Sequence, residues 1–570
     1  MSNPNEDRWR THYDPGVPRT LEPYPDCTLL DYLAAAARDH PHGIALWYKG
    51  RTISWRELED QANTAAVAFE AMGLKRGDRV ALLLPNCPQF LIAEYGAWKV
   101  GAVACPLNPI YTEEELAEKL HTLKPRFVVT LSAFYDRVGK AKVGTSVQRV
   151  ISTSIKEHFP PLLKIAFTLL MEKKLGHRAR LRSDDLEWGA WLAPHRGKKP
   201  SATPPGPQDD AMILLSGGTT GTPKGVSAWH QALVMTAVQF RAWFGDSLVD
   251  GKDSVLLPLP LFHSYGACLV QSVYLLARFP LGLVPNPRDL DDLVKSIATF
   301  KPALFAGVPT LYNALLNHKD VKSGKVNFRS LKVCGSGAAP LMAETKRRFE
   351  EVTGATITEA YGMTESLIAG ISNPIVGKRK LGSVGLPLPD VFVRIVDADD
   401  SKKELATSEV GEIIMRGPQI MRGYFENPEE STAMLVRHAD GHTWLHTADL
   451  GYLDEDGYLF IVDRKKDLIK ANGMQVWPRE LEEVLARHPA VADVGVRGFT
   501  DAARGEIAVA FVVLRQGMQA TEQDLRDFCK QHLTFYKVPA RVVFRTELPK
   551  SMIGKVMRRL LVLDEAHAAT

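Results

Sequence analysis

The sequence lacks any apolar stretch long enough to cross a membrane. Its longest candidate, Leu162 to Met171 (LLKIAFTLLM), falls well short of the ~20 residues that a spanning helix needs and is interrupted by Lys164. The first residues, MSNPNEDRWRTHYDPG, are polar and contain no apolar core of the kind that a secretory signal carries. We therefore expect a cytoplasmic protein.

Cysteine and net charge are also scarce. The 570 residues include only 6 cysteines, none in CxxC spacing, which argues against a zinc ribbon or a disulfide framework. A net charge of +4 is small for this length and argues against a dedicated nucleic-acid partner. The chain is 45% hydrophobic, enough to build several domains with their own cores.

One apolar run is followed by a cluster of basic residues. Leu162 to Met171 precedes five cations: Lys173, Lys174, Arg178, Arg180 and Arg182. Such a segment can lie on an anionic surface, here the inner face of the membrane, or it can form a helix packed on its own domain. The sequence leaves both readings open, and it leaves open whether the chain forms a homodimer.

Short apolar runs alternate with segments of helical periodicity through most of the chain. The runs predict buried strands at Val80–Leu84, Phe127–Leu131, Met212–Leu215, Val255–Leu257, Ala303–Val308 and Leu331–Cys334. A helix is predicted from Pro340 to Thr353, and Ser183 to Pro207 is predicted to be a loop or linker. This alternation favours parallel, doubly wound sheets.

The pattern changes from about Val391 to short strands with tight turns, and a smaller α+β unit follows Asp463. The sequence therefore predicts an α/β protein in two parts. The first, residues 1–463, contains two doubly wound sheets and a small β-rich subdomain. The second, residues 464–570, is a small α+β domain.

A glycine- and threonine-rich loop follows the predicted strand Met212–Leu215. The stretch Leu215 to Val226 reads LSGGTTGTPKGV. Consecutive glycines let backbone N–H groups converge on an anion, and the hydroxyls and Lys224 add further donors, so the loop favours phosphate binding. It is not a Walker loop, because Lys224 lies between Pro223 and Gly225 and no Ser or Thr follows it directly. A flexible surface hairpin is the alternative.

Four further segments accompany this loop. They are TEAYGMTES (Thr358–Ser366), TADLG (Thr447–Gly451), DRKKDLIKANGMQVWP (Asp463–Pro478) and LPKSMIGKVMRR (Leu548–Arg559). In this order and spacing they resemble the adenylate-forming superfamily of acyl-CoA synthetases, peptide-synthetase adenylation domains and luciferases. The resemblance extends from about Thr28 to Leu560. It is strongest to bacterial long-chain fatty acyl-CoA synthetases, in GGTTG, GSVGLPLPD, GPQIMRGYFENP and DRKKDLI.

The resemblance implies a two-step reaction with ATP and CoA as co-substrates and Mg²⁺ as cofactor. A fatty carboxylate attacks the α-phosphorus of ATP, pyrophosphate leaves, and the CoA thiol then converts the acyl-adenylate to a thioester and AMP. Because both reactants of the first step are anionic, charge neutralisation and alignment carry the catalysis. The resemblance also makes the C-terminal domain a mobile lid.

Residue roles follow from the resemblance, position by position. Glu365 is expected to hold Mg²⁺, and Thr364 to lie beside the α-phosphate. Tyr361 would face adenine, Asp449 and Arg464 would bind the ribose, and Lys555 would bridge the α-phosphate and the substrate carboxylate. The phosphate loop would comprise Ser216, Gly217, Gly218, Thr219, Thr220, Gly221, Thr222 and Lys224. Catalysis itself is assigned to Lys555, Glu365 and Thr364.

The remaining roles concern the acyl chain, CoA and the lid. Acyl-binding positions are His263, Gly337 and Gly362, where Gly362 replaces a tryptophan that closes the pocket of acetate-specific relatives. Gly473 is expected beside the path of the CoA thiol, and Lys466 at the hinge of the lid. Arg558 is expected to be structural.

The sequence departs from the family pattern at two places. Ala448 stands where the family has glycine, a change that could tighten the ribose pocket. Trp229 precedes His230 where Ser or Thr is usual, and it could be core or could gate an acyl tunnel.

The substrate remains open among three readings. The segment PLPLFHSYG (Pro258–Gly266) contains no carboxylate to pair with an amino group, which argues against an amino acid. A fatty acid–CoA ligase for medium or long chains is favoured. An aryl-CoA ligase or luciferase-like enzyme is the first alternative, and a non-catalytic acyl-nucleotide sensor is the second.

Overall fold

Two large, mostly parallel sheets form the body of the protein, which confirms the predicted α/β class. The computed structural model describes residues 8–216, 224–471, 474–501, 505–551 and 554–563. Up to residue 229 the strands are β1 (Ile44–Tyr48), β2 (Arg51–Ser54), β3 (Arg79–Leu83), β4 (Val103–Pro106), β5 (Phe127–Leu131), β6 (Arg149–Thr153), β7 (Leu186–Glu187), β8 (Asp210–Leu215) and β9 (Gly225–Trp229). The helices of this region are α1 (Leu29–Asp39), α2 (Trp55–Ala71), α3 (Pro88–Lys99), α4 (Glu113–Leu123), α5 (Tyr135–Ala141), α6 (Pro161–Leu170) and α7 (Trp188–Leu192).

The next segment completes the second large sheet. Its elements are α8 (His230–Phe244), β10 (Val255–Leu257), α9 (Gln271–Ala277), β11 (Leu281–Leu283), α10 (Leu290–Phe300), β12 (Leu304–Gly307), α11 (Pro309–Asn317), α12 (Lys319–Lys322), β13 (Val333–Ser336), α13 (Ala343–Thr353), β14 (Thr356–Tyr361), β15 (Ile371–Ser372) and β16 (Leu386–Pro387). The first sheet has the order β7-β6-β5-β3-β4-β8-β9 and the second the order β16-β15-β14-β13-β12-β10-β11-β1-β2. The jumps in strand order reflect helical crossovers between parallel neighbours.

Two smaller sheets follow. The first is antiparallel and contains β17 (Phe392–Val396), β18 (Gly411–Arg416), β19 (Leu435–Arg437), β20 (Thr443–Leu453) and β21 (Leu459–Arg464), with α14 (Pro428–Met434) beside it. The C-terminal unit contains β22 (Ile469–Ala471), β23 (Met474–Val476), α15 (Pro478–Leu485), β24 (Val491–Asp501), β25 (Gly505–Leu514), α16 (Glu522–His532) and β26 (Arg541–Phe544). A short 3₁₀ turn, Lys465–Asp467, connects the two.

Two sequence-based expectations differ from the structure. The helix expected from Pro340 begins at Ala343, because Ala338 has a left-handed backbone and Met342 is still extended; it ends before Gly354, as expected. The predicted linker Ser183–Pro207 contains α7, whose Trp188 and Trp191 are buried. Burial of large aromatic surface holds this segment to the core more strongly than its polar composition suggests.

Trp229 lies in the hydrophobic core, at the end of β9. It is buried, and the guanidinium of Arg422 lies over its ring at 4.4 Å from the centroid. The core reading of this residue is therefore confirmed.

The apolar run after residue 160 forms α6, and the structure leaves its side chains largely outside the core. None of its 10 residues is buried. Among the described residues, no helix is both long enough and apolar enough to span a bilayer.

Candidate active site

A hydrogen-bonded cluster joins the second large sheet to the antiparallel sheet. The Tyr361 hydroxyl, at the end of β14, donates to Oδ2 of Asp449 at 2.6 Å. Arg464 lies opposite Asp449 in the β20–β21 register, and its Nε is 3.1 Å from Oδ1. Burial, with the Asp449 carboxylate nearby, raises the pKa of Tyr361 well above its usual value. The structure thus brings together Tyr361, Asp449 and Arg464, although more than a hundred positions separate Tyr361 from Arg464 in the sequence.

Glu365 follows this cluster in a short turn after β14. The turn, Thr364–Ser366, buries the Glu365 carboxylate, and the Tyr424 hydroxyl donates to its Oε1 at 2.9 Å. Burial raises the pKa of Glu365, while hydrogen bonds from Tyr424 and Ser216 oppose the rise. Thr364 Oγ1 lies 3.1 Å from Ser264 Oγ. A buried carboxylate of this kind favours a nearby cation.

The glycine-rich loop begins at Ser216, whose side chain hydrogen-bonds to Glu365. The Ser216 N–H donates to the Lys224 carbonyl at 2.8 Å, so these two residues close the base of the loop. Lys224 Nζ is 2.6 Å from Glu430 Oε2 and lies 5.3 Å from the centroid of the Tyr424 ring. The six intervening candidates, Gly217, Gly218, Thr219, Thr220, Gly221 and Thr222, lie outside the described residues.

Tyr424 was not among the residues singled out from the sequence. It contacts both Glu365 and Lys224 and so connects the expected metal ligand with the base of the phosphate loop. The signal was present, because Tyr424 lies in the GPQIMRGYFENP segment that carries the family resemblance. Its role became visible only when the fold placed that segment against the loop.

Lys555 reaches the cluster from the C-terminal unit. Burial, together with the positive charges of Arg464 and Arg558, lowers the pKa of Lys555 to about 8, although Asp449 and Asp467 oppose the shift. The Lys555 N–H donates to Ser551 Oγ at 3.2 Å. The amine therefore lies within electrostatic range of Asp449 and Arg464.

Gly554 allows the segment before Lys555 to approach the N-terminal unit closely. It has φ of +75°, and a Cβ there would overlap the side chain of Thr310, at the start of α11. A residue with a side chain would push this loop away from α11.

Ala448 replaces the glycine of the family pattern in a position that suits glycine. Its φ is +56°, a left-handed conformation that L-residues adopt at a cost of about 1–2 kcal/mol. The methyl group is exposed, so alanine at this position costs stability through backbone strain and not through crowding of buried neighbours.

The three acyl-binding candidates have different surroundings. His263 accepts the Tyr265 N–H at Nδ1 (3.2 Å), and burial lowers its pKa to about 4, so the ring is neutral. A Cβ at Gly337 would make only ordinary or slightly tight contacts, the nearest 3.3 Å from Tyr265 Cε1. Both residues therefore border Tyr265, which begins a buried π-helical turn.

Gly362 requires a correction. We expected its missing side chain to leave a cavity, but a Cβ there would overlap the Ile368 carbonyl oxygen. Close backbone approach, not an open pocket, requires glycine at this position. A bulky residue at 362 would therefore disturb the local backbone before it reached a substrate.

The hinge candidate lies in the connection between the two parts. Lys466 is in the 3₁₀ turn Lys465–Asp467, where burial lowers its pKa. Gly473 lies outside the described residues.

Comparisons with known proteins point to one family. A model described as AMP-binding enzyme matches residues 33–425, and one described as AMP-binding enzyme C-terminal domain matches residues 480–555. The long-chain-fatty-acid–CoA ligase of Bacillus subtilis (strain 168) is 36% identical over 560 residues, covering 98% of each chain. That of Escherichia coli O157:H7 is 34% identical over 564 residues, again covering 98% of each.

Solved structures agree in fold. ATP-bound MatB from Rhodopseudomonas palustris superposes with a TM-score of 0.79 at 29% identity, covering 94% of this chain and 98% of that one. The anthranilate CoA ligase AuaEII, in complex with anthranoyl-AMP, gives 0.81 at 25% identity, covering 95% and 97%.

The lowered pKa of Lys555 predicts a pH profile. The Lys555 amine of the enzyme without substrate is protonated below about pH 8. The kcat/KM of carboxylate activation should therefore be constant below that pH and fall above it. Lys555→Arg should remove this alkaline limb, since a guanidinium stays charged, although its different geometry should lower the rate. Lys555→Ala should lower the rate about 10²–10³-fold below pH 8, and the difference from wild type should narrow above it, where the wild-type amine is itself neutral. A limb that persists in Lys555→Arg would assign the titration to another group.

Gly554→Ala should displace the segment that carries Lys555 from α11. We expect carboxylate activation to fall about 10²-fold, because misplacement by an ångström is costly in an aligned site. Gly517→Ala is the matched control: Gly517 also has positive φ (+80°) in the same unit, but a Cβ there meets nothing within 4 Å. Equal losses in the two variants, measured by pyrophosphate release, would attribute the effect to backbone strain alone.

Proposed function

The chain belongs to the AMP-binding enzyme family, and on that premise we propose that it is an ATP-dependent fatty acid–CoA ligase for medium- and long-chain acids. Relatives named long-chain-fatty-acid–CoA ligases align with nearly its whole length and support this substrate class. The observation that carries the proposal is geometric. Lys555 lies in the field of the Asp449–Arg464 pair, and Tyr361, which bonds to Asp449, leads into the turn that holds Glu365.

The reaction has two steps. In the first, a carboxylate oxygen bonds to the α-phosphorus of ATP, the bond from that phosphorus to the pyrophosphate oxygen breaks, and pyrophosphate leaves. In the second, the CoA sulfur bonds to the acyl carbon, the bond to the AMP oxygen breaks, and the thiol proton is lost. The chain contributes positive charge and alignment to both anionic reactants.

The residues fit these tasks by their chemistry. We propose that the phosphate loop and Lys224 hold the β- and γ-phosphates, and that Tyr361 and Asp449 bind adenine and ribose with Arg464. Thr364 would lie beside the α-phosphate. Lys555 would neutralise charge between the α-phosphate and the carboxylate, where a lysine with a lowered pKa can still be protonated at neutral pH.

Mg²⁺ fits beside Glu365. The carboxylate is buried, and its raised pKa marks a site where a cation would reverse the cost of ionisation. When bound, Mg²⁺ would supply charge neutralisation at the phosphates. Glu365 would hold it, and Tyr424 would fix the orientation of the carboxylate.

We propose that residues 464–570 act as a lid that turns about Lys466 and that Gly473 borders the path of CoA. A single lid can then serve both steps, because closure completes a different set of contacts in each. The acyl chain would lie near His263, Gly337 and Tyr265, where a neutral imidazole and the Tyr265 ring suit an apolar substrate.

A pyrophosphate assay with a panel of acids tests the reaction. With ATP and Mg²⁺ but no CoA, decanoate or palmitate should release one equivalent of pyrophosphate, and AMP should appear only when CoA is added. Each methylene buried contributes roughly 0.8 kcal/mol, so kcat/KM should rise about fourfold per methylene until the pocket is filled.

The alternatives give different results in the same assay. Faster turnover with benzoate or anthranilate would assign the protein to the aryl-CoA ligases. Nucleotide binding without pyrophosphate release for any acid would indicate the non-catalytic sensor.

We further propose that the protein is cytoplasmic and contacts an anionic membrane surface through α6 and the basic residues after it. Leu162, Leu169 and Leu170 are 84%, 77% and 73% exposed. Phe167 points the other way and packs edge-on against Phe159. Together these three leucines form an exposed apolar stripe on α6. Such stripes are rare on soluble proteins unless a partner covers them.

The neighbouring charges indicate which partner fits. Lys173, Lys174, Arg178 and Arg180 are exposed beside the stripe, and Arg182, also exposed, donates to the Gly139 carbonyl. Apolar side chains next to exposed cations match an anionic lipid surface, which is also where a long-chain fatty acid resides.

Vesicle sedimentation tests this surface. The protein should bind phosphatidylglycerol-containing vesicles more than pure phosphatidylcholine, and binding should weaken as salt rises. Leu169→Glu should reduce it, whereas Leu381→Glu, at another exposed leucine (70%), should not. Lys173→Gln and Lys174→Gln should each weaken the free energy of vesicle binding by about 1 kcal/mol. Binding that ignores lipid charge would contradict the proposal, and a dimer that Leu169→Glu dissociates would assign the surface to a second copy.

A further inference from the structure

Arg558 makes contacts with three carboxylates. Its Nε and Nη2 pair with both oxygens of Glu482, at 3.0 and 2.7 Å. Its Nη1 donates to Asp463 Oδ1 at 2.6 Å and to Asp467 Oδ2 at 3.1 Å. Glu482 and Asp463 raise the pKa of Arg558 above its usual value, although burial opposes the shift. Such forked pairing fixes the direction of a guanidinium as well as its charge.

The three partners lie on different parts of the chain. Asp463 is in β21, the strand of the antiparallel sheet that leads into the connection; Asp467 is in the connecting turn; and Glu482 is in α15 of the C-terminal unit. The side chain of Asp463 is only 3% exposed, and its Oδ2 accepts the N–H of Arg479 at 2.8 Å. Arg558 therefore links the C-terminal unit to β21, the strand before the connection. Its partners Asp463 and Asp467 lie on either side of Lys466 in the sequence.

Arg558 also lies three residues after Lys555. The segment between them is held by a β-bridge between Lys550 and Val556 and by a hydrogen bond from the Met557 N–H to the Pro549 carbonyl at 2.8 Å. Asp463 in turn directly precedes Arg464, the cation beside Lys555. Fixing Arg558 on Asp463 thus fixes the position of Lys555 relative to the Asp449–Arg464 pair.

We propose that Arg558 is a positioning residue that clasps the C-terminal unit to Asp463 and holds Lys555 in the arrangement for carboxylate activation. The inference rests on the two-step reaction proposed above. In the second step, the lid leaves this arrangement, so the clasp is needed for the first step and not for the second.

Half-reactions of the full-length protein test the clasp. Arg558→Ala should lower pyrophosphate release from ATP and palmitate about 10²-fold, as expected for a misplaced catalytic group. Thioester formation from supplied palmitoyl-AMP and CoA should stay near wild type. Arg558→Lys should recover part of the first step, because it keeps the charge but not the fork. Arg559→Ala is the matched control, since Arg559 is the adjacent, exposed arginine.

A second measurement needs no catalysis. Limited trypsinolysis at Lys465 and Lys466 should be faster in Arg558→Ala and in Asp463→Asn than in wild type, and unchanged in Arg559→Ala. Wild-type protein that releases no pyrophosphate with any acid would overturn the proposed reaction, and the trypsin result would still decide the clasp. Equal loss in both half-reactions, or unchanged trypsin cleavage in Arg558→Ala, would overturn the clasp.

Discussion

The site depends on one buried carboxylate, that of Asp449. A carboxylate removed from water must be paired or hydrogen-bonded, and here the Tyr361 hydroxyl and the Arg464 guanidinium take one oxygen each. Those two bonds join the end of a central strand of the nine-stranded sheet to a pair of strands in the antiparallel sheet. Because Arg464 also ends the last strand before the C-terminal unit, the same pairing sets where that unit begins.

The large sheets explain why the candidate residues gather in one place. The glycine-rich loop follows β8, Gly337 follows β13 and the Glu365 turn follows β14. Strands β12, β13 and β14 run parallel, so the segments that leave their carboxyl ends emerge at one edge. Crevices at such edges are the usual ligand sites of open α/β sheets. Asp449 of the antiparallel sheet and Tyr424, in the loop between β18 and α14, then close the site.

The charges around Lys555 favour the binding of a polyanion. Arg464 and Arg558 lie close enough to Lys555 to lower its pKa, and Asp449 and Asp467 oppose them. An excess of cations around a half-buried amine costs stability, and a bound anion would relieve that cost. The same logic applies at Glu365, where burial of a carboxylate favours a cation. Both groups thus have shifted pKa values in the direction that a ligand of opposite charge would correct.

The sequence by itself determined the class of fold and named in advance several residues that the structure brings together. Alternating periodicities predicted the parallel sheets, and Phe127–Leu131 and Val255–Leu257 match their strands at both ends, because short apolar runs have few other uses in a chain of this kind. The motifs also named Tyr361, Asp449, Arg464 and Lys555 in advance, although the roles assigned to them remain predictions. These features are local, so a pattern of neighbouring residues is enough to indicate them.

Tertiary structure decided what depends on approach between distant segments. The Ile368 carbonyl, not an absent side chain, explains Gly362, and only the fold reveals that a Cβ at Gly554 would meet Thr310. Burial of Trp188 and Trp191, exposure of α6 and the clasp of Arg558 on Asp463 likewise depend on which surfaces meet. Residue type sets the chemistry that a side chain can perform, whereas its neighbours, brought together from up to hundreds of positions away, set its space, its charge environment and its partners.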